Sequence, residues 1–205
     1  MSVFVKICGI RDLAHAQAAV EAGADALGFV FAKSVRCVTP GEACAATEGL
    51  PRGVKRVAVM QHPSKEEWQA VLDAFHPDAL QTDVEDFASL DIPDSIARWP
   101  VVRQLGPDTG AGYGGRIPGP DTFVYEGPVS GSGEIVDWSR AADAAKHGSM
   151  ILAGGLDPDN VGNAIRQVRP WGVDVSSGVE SQRGIKDAGL IRQFIGAVRA
   201  AEKEL

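Results

Sequence analysis

Short apolar runs alternate with amphipathic stretches along this chain. The apolar runs lie at residues 3–8, 26–31, 56–60, 79–81, 101–105, 122–126, 150–153 and 172–175, and each reads as a strand. Residues 12–22, 40–48, 65–75, 138–147, 157–168 and 187–201 read as helices. Their boundaries carry helix signals. Gly23 follows the first, Pro40 and Pro158 suit first turns, and Ser64 with Glu67 has capping-box spacing. Strand and helix in alternation predict parallel strands with helices outside. Eight such units in 205 residues predict one (β/α)8 TIM barrel, an α/β domain spanning 1–205, near the lower size limit of that fold. A doubly wound open sheet is the competing arrangement, but eight units is many for it. Two stretches break the rhythm. Residues 106–121 hold six Gly and three Pro, and residues 83–99 contain Pro93, so the outer helix ring is expected to be incomplete, above all after strand five.

In such a barrel the chemistry sits at the C-terminal strand ends and the loops after them. Side chains along a strand alternate between lumen and helices. In the first strand Val3, Val5 and Ile7 share the helix side, while Lys6 and Cys8 share the lumen. A lysine and a thiol in a lumen are costly unless used. The same parity sends Val124 and Glu126 inward on strand six, Asp174 inward on strand eight, and Gln81 and Asp83 inward on strand four. Ala153-Gly154-Gly155 after strand seven and Ser176-Ser177-Gly178 after strand eight occupy the loops that recurrently cradle phosphate in this fold. The candidate phosphate contacts are therefore Gly154, Gly155, Ser176, Ser177 and Gly178.

Charge narrows the partners. Twenty basic against 27 acidic residues give net −7, which argues against nucleic acid and means an anionic ligand needs local donors. No apolar run is long enough for a membrane span. The charged start, with Lys6, is unlike a secretory signal, and three cysteines, Cys8, Cys37 and Cys44, cannot all pair. A reduced, cytoplasmic setting is expected. Cys37 and Cys44 read as passive. The run Gly110-Ala111-Gly112-Tyr113-Gly114-Gly115 matches a dinucleotide fingerprint but opens no helix, so it reads as a loop. Gly131-Ser132-Gly133 reads as a turn or a lid. Trp138 and Trp171 read as packing. The histidines His15, His62, His76 and His147 are scattered, only His62 lying near a strand end, and no metal is expected. A small-molecule ligand and a monomer are the expectations.

Several of these segments resemble one family. Val5-Lys6-Ile7-Cys8-Gly9-Ile10, Gly23-Ala24-Asp25-Ala26-Leu27-Gly28-Phe29-Val30-Phe31 and Lys33-Ser34-Val35-Arg36 look like phosphoribosylanthranilate isomerase. So do Ile151-Leu152-Ala153-Gly154-Gly155-Leu156, Gly172-Val173-Asp174-Val175-Ser176-Ser177-Gly178-Val179-Glu180 and Gly184-Ile185-Lys186-Asp187. The similarity is specific in the first and last quarters and loose between. It implies a barrel enzyme of tryptophan biosynthesis, an aldose–ketose isomerase that converts N-(5′-phosphoribosyl)anthranilate to its 1-deoxyribulose 5-phosphate product without a cofactor. It implies Cys8 as base, activated as a thiolate by nearby Lys6, and Arg36 as partner of the anthranilate carboxylate. Lys6, Gln81, Asp83 and Asp174, the inward polar positions of their strands, are the remaining candidate substrate contacts.

Two departures stand out. The family's strand-six Asp, its general acid, reads Glu126, expected to keep its proton through burial. The family's Q-L-H-G after strand four reads Gln81-Thr82-Asp83-Val84, so Asp83 replaces its His. Val35 replaces a usual Pro. The alternatives are another phosphosugar enzyme such as an epimerase, for which strand-end histidines are missing, and a phosphosugar-binding barrel that has lost or altered its chemistry.

Overall fold

The computed structural model describes residues 2–103, 122–127 and 134–205. Eight parallel strands form one closed barrel in chain order. They are β1 (Phe4–Cys8), β2 (Ala26–Val30), β3 (Lys55–Val59), β4 (Ala79–Asp83), β5 (Ala97–Arg103), β6 (Thr122–Glu126), β7 (Ser149–Leu152) and β8 (Gly172–Val175). Pairing of β1 with β8 closes the sheet, which excludes the open doubly wound arrangement. Six α-helices are described: α1 (Leu13–Ala22), α2 (Pro40–Ala46), α3 (Lys65–Phe75), α4 (Trp138–Ala144), α5 (Val161–Val168) and α6 (Ala188–Glu202). A 3-10 segment, Val84–Ala88, is all that follows β4, in keeping with the irregular reading of 83–99.

Local chemistry sets most boundaries. Asp12 caps α1 through the N–H of His15, and Gly23 ends it at φ 100°, a left-handed conformation that suits glycine. Thr39 and Ser64 head full capping boxes with Glu42 and Glu67. α5 starts later than its sequence pattern, because residues 157–160 form a turn in which Asn160 accepts from Asp157 N–H and donates to Gly155. β5 starts four residues before the expected 101. Its first half, Ala97-Arg98-Trp99-Pro100, hides a lumen-filling Trp99 behind a proline that looks like a strand breaker. The hairpin of β9 (Glu180–Gln182) and β10 (Ile185–Lys186) has no apolar run and was not expected.

Alternation builds two separate apolar layers. Ala26, Val57, Ala79, Trp99, Val101, Val124, Ile151 and Ala153 fill the lumen. Val5, Ile7, Leu27, Leu80, Phe123, Tyr125, Val173 and Val175 face the helices. Phe4 meets Trp99 edge-on at 5.8 Å and stacks on Trp171 at 4.6 Å, plugging the end of the barrel opposite the site. That confirms Trp171 as packing. The glycine- and proline-rich stretch 106–121 with its Gly110–Gly115 motif, the ring after strand five, and the Gly131–Gly133 loop lie outside the described residues.

Candidate active site

The C-terminal strand ends surround one cavity of about 280 Å³. Of the expected residues, Cys8, Arg36, Gln81, Asp83, Glu126, Gly154, Gly155, Asp174, Ser176 and Ser177 line it. Lys6 and Gly178 do not.

Lys6 is fully buried beneath the cavity floor and donates to Asp174 Oδ2 at 2.7 Å, its register partner across the barrel seam. Burial alone pushes the ammonium down, but the attraction of Asp174 prevails and holds Lys6 above its ordinary value. The other carboxylate oxygen, Asp174 Oδ1, is buried and meets no partner among the described residues, as is Gln81 Oε1. Unsatisfied buried acceptors are costly, and both residues line the cavity.

Cys8 Sγ stands at the top of β1. Gly28 makes its space, since a Cβ there would lie 2.9 Å from Sγ and 3.1 Å from Lys6 Cε. The thiolate expected from the nearness of Lys6 does not follow. Burial raises the thiol above its ordinary value, Lys6 and Lys186 pull it down without overcoming that penalty, and Asp174 adds to the rise. Cys37 and Cys44 are exposed and free, away from the cavity lining.

Arg36 is buried yet reaches the lining. It is held by a fork of two hydrogen bonds, Nε to Glu180 Oε1 at 2.7 Å and Nη2 to Oε2 at 2.9 Å. Glu180 accepts also from Lys186 Nζ at 2.7 Å and from the Gly184 N–H at 2.9 Å. Burial works to raise the Glu180 carboxyl, but these donors outweigh it and leave the group at about 2.

The acid side differs from expectation. Glu126 sits beside a guanidinium and not among apolar side chains alone. Arg103 Nη1 donates to Glu126 Oε1 at 2.6 Å, and Arg103 Nε donates to Asp83 Oδ1 at 2.9 Å. One guanidinium therefore joins the two positions at which the sequence departs from the family pattern. His62 stands 3.4 Å from Asp83 Oδ2 and 3.0 Å from Asp86 Oδ1. His62, Asp83 and Asp86 bring three ligand-type atoms within 4.8 Å. Arg103 engages Asp83 and the Thr82 hydroxyl engages Asp86, so both carboxylates already have protein partners.

The loops after β7 and β8 form one wall. Gly154 and Gly155 have φ of 92° and 62°, and no acceptor among the described residues meets their N–H groups. A Cβ on Gly155 would lie 2.7 Å from Ile135 N, so close packing also demands glycine there. Gly178 serves packing too: a Cβ would fall 2.0 Å from Leu156 O. Free N–H groups beside Ser176 and Ser177 suit an anion.

Sequence reasoning missed Gly28, Arg103, Glu180 and Lys186 as parts of the site. Arg103 was findable, since it lies two residues after lumen-facing Val101 and shares its parity.

The family model for N-(5'phosphoribosyl)anthranilate (PRA) isomerase matches residues 5–197. Relatives named N-(5'-phosphoribosyl)anthranilate isomerase from Roseiflexus castenholzii and Pseudomonas aeruginosa are 38% and 42% identical. They match over 98% and 99% of this chain and 100% and 98% of their own. The phosphoribosyl anthranilate isomerase of Thermotoga maritima superposes with TM-score 0.81 at 32% identity, covering 97% of this chain and 99% of that one. A structure of such an isomerase in complex with reduced 1-(o-carboxyphenylamino)-1-deoxyribulose 5-phosphate gives 0.78 at 33%, with the same coverage. A matching barrel, a matching length and a match along almost the whole sequence agree: the chain belongs to the N-(5′-phosphoribosyl)anthranilate isomerase family.

Proposed function

We propose that in this phosphoribosylanthranilate isomerase of tryptophan biosynthesis Cys8 is the general base and Glu126 the general acid. Ring opening takes a proton from Glu126 to the furanose oxygen, breaks the bond from C1 to that oxygen, and leaves a protonated Schiff base. Arg103, braced on Asp83, then stabilises the carboxylate left behind. Cys8 removes the proton from C2 and the electron pair moves toward nitrogen, giving the enolamine. Cys8 returns its proton to C1 while Glu126 takes one from the C2 hydroxyl, which yields the ketone and restores both groups. The scheme calls on no cofactor, because every proton has a donor or acceptor in it.

The observation that carries the reading is the pair of unpartnered buried oxygens, Asp174 Oδ1 and Gln81 Oε1, on residues lining the cavity between Cys8 and Glu126. The hydroxyls of a ribose chain supply the missing donors. Arg36 receives the anthranilate carboxylate. The N–H groups of Gly154 and Gly155 with Ser176 and Ser177 receive the phosphate, and Gly178 supports that wall from outside the cavity. Lys6 acts from below, by holding Asp174. We infer further that the enzyme works as a cytoplasmic monomer. The large exposed apolar side chains among the described residues, such as Ile135, Trp171 and Leu205, lie on separate segments between or beyond the helices and strands.

The test is loss of phosphoribosylanthranilate fluorescence on adding enzyme. Cys8→Ala is expected to lower kcat by about 10³ or more, within the range of a lost general base, with phosphate affinity kept. A variant keeping a tenth of wild-type kcat would overturn the assignment. Because burial raises the Cys8 thiol, the thiolate is the minor form near neutrality and grows with pH. Glu126 must be protonated at the same time and offsets that growth, so the clean readout is Glu126→Gln, whose residual kcat/KM is expected to climb from about pH 6 to about pH 8, below the ordinary thiol range. A flat profile there counts against Cys8.

A further inference from the structure

Glu180 and Lys186 are buried, charged and absent from the lining of the cavity. Neither is needed to hold the barrel strands together, since both sit on the small β9–β10 hairpin beyond β8. Apart from the Gly184 N–H that Glu180 accepts, their side-chain bonds run to each other, to Arg36 and to Ser176. The Glu180 carboxylate takes Nε and Nη2 of Arg36, leaving the Nη1 edge of the planar fork for another acceptor. Lys186 Nζ donates to Glu180 at 2.7 Å and also to Ser176 O at 2.9 Å and Ser176 Oγ at 3.2 Å. The hairpin turn packs on the loop that carries Arg36: Gly184, at φ 87°, places its would-be Cβ 3.1 Å from Val35 O. From the other side Gly9 leaves room for the stem, with Arg36 Cδ only 2.7 Å from where a Cβ would be.

Charge gives this arrangement its point. A guanidinium neutralised by one carboxylate has little attraction left for a second. Adding Lys186 returns the corner to one net positive charge, Arg36 and Lys186 against Glu180, in a chain of net −7.

We infer that Glu180 and Lys186 are positioning residues for substrate discrimination: together they fix the Arg36 fork with one edge open to the anthranilate carboxylate, and Lys186 ties that end of the site to the phosphate loop through Ser176. The inference rests on the reading of Arg36 given above. It makes two ends of one substrate depend on two side chains that line neither.

The experiment compares two ligands, the reduced product 1-(o-carboxyphenylamino)-1-deoxyribulose 5-phosphate and the same compound without its carboxylate, by their inhibition constants. Wild type is expected to prefer the carboxylate at least tenfold. Glu180→Gln is expected to lose most of that preference while binding the decarboxylated compound within about twofold of wild type. Lys186→Met is expected to lose it and to weaken the decarboxylated compound as well, because Ser176 is released. An unchanged or an increased preference in Glu180→Gln overturns the inference, since charge alone would raise it. So does an equal loss for both ligands in Glu180→Gln, the mark of a merely structural role. Arg36→Met separates the underlying reading: if it too keeps the preference, the assignment of Arg36 is what has failed. If Glu180→Gln does not fold, Glu180→Asp, which keeps the charge and shortens its reach, supplies the same comparison.

Discussion

The two sides of the cavity are built differently. On the β1, β2 and β8 side the charges are sealed. Lys6 and Asp174 pair at 2.7 Å with side chains 0% and 9% exposed, and Arg36 and Glu180 pair at 9% and 3%. On the β4, β5 and β6 side one cation, Arg103, bridges two carboxylates, Asp83 and Glu126, whose side chains are 6% and 13% exposed; openness enters through Arg103 itself, 24% exposed, and His62 beyond it, 58% exposed. The first side keeps the family's Lys6, Cys8, Arg36 and Asp174 and departs at Val35, and the second holds the two departures among charged positions, Asp83 and Glu126. The lesson is about tolerance. Buried pairs resist change at either member, because removing one strands the other without water. Pairs at an open mouth are weaker and water screens them, so sequence there is free to drift while a side chain such as Arg103 reconnects the parts.

That contrast is breakable by mutation. Asp174→Ala strands the Lys6 ammonium in the lumen, and urea unfolding is expected to show a loss of about 3–5 kcal/mol. A loss under about 1 kcal/mol would mean the sealed side is no more demanding than the open one. Arg103→Met frees Glu126 and Asp83 together. It is expected to lower kcat about tenfold or more, or roughly 1.4 kcal/mol of barrier, with KM little changed. If KM rises and kcat holds, Arg103 binds substrate instead of serving the acid. His62→Asn keeps a residue that tolerates the positive φ of 46° found there and removes the exposed pairs to Asp83 and Asp86. Less than a twofold change in kcat and an unmoved unfolding midpoint are expected. A large drop would show that His62 stands in for the histidine absent at position 83.

Much of this molecule was legible from residues alone, and the reasons are local. The lumen parity of Lys6 and Cys8, of Gln81 and Asp83, of Val124 and Glu126, and of Asp174 follows from the two-residue period of a strand. The Ser64 and Glu67 box fixed the start of α3 because its partners are three residues apart. β5 was misjudged at its start because Pro100 argues locally against a strand, while Trp99 beside it fills the barrel. The β9–β10 hairpin was missed because its residues, Glu180-Ser181-Gln182-Arg183-Gly184, offer no apolar period.

What the sequence by itself determined was the eight-fold alternation, the side of each strand that faces inward, and the family motifs at the strand ends. Tertiary structure decided who pairs with whom. Lys6 and Asp174 are 168 residues apart and meet only because β1 closes on β8. Arg36 and Glu180 are 144 apart, and Arg103 reaches Glu126 across 23. It decided the surroundings of Cys8 as well. A lysine two residues away argues for a thiolate, but burial acts on the thiol from every direction at once and outweighs that neighbour. Periodicity is a property of short range and survives in the sequence. Desolvation and charge pairing are sums over whatever the closed barrel brings near, and only the closed barrel fixes them.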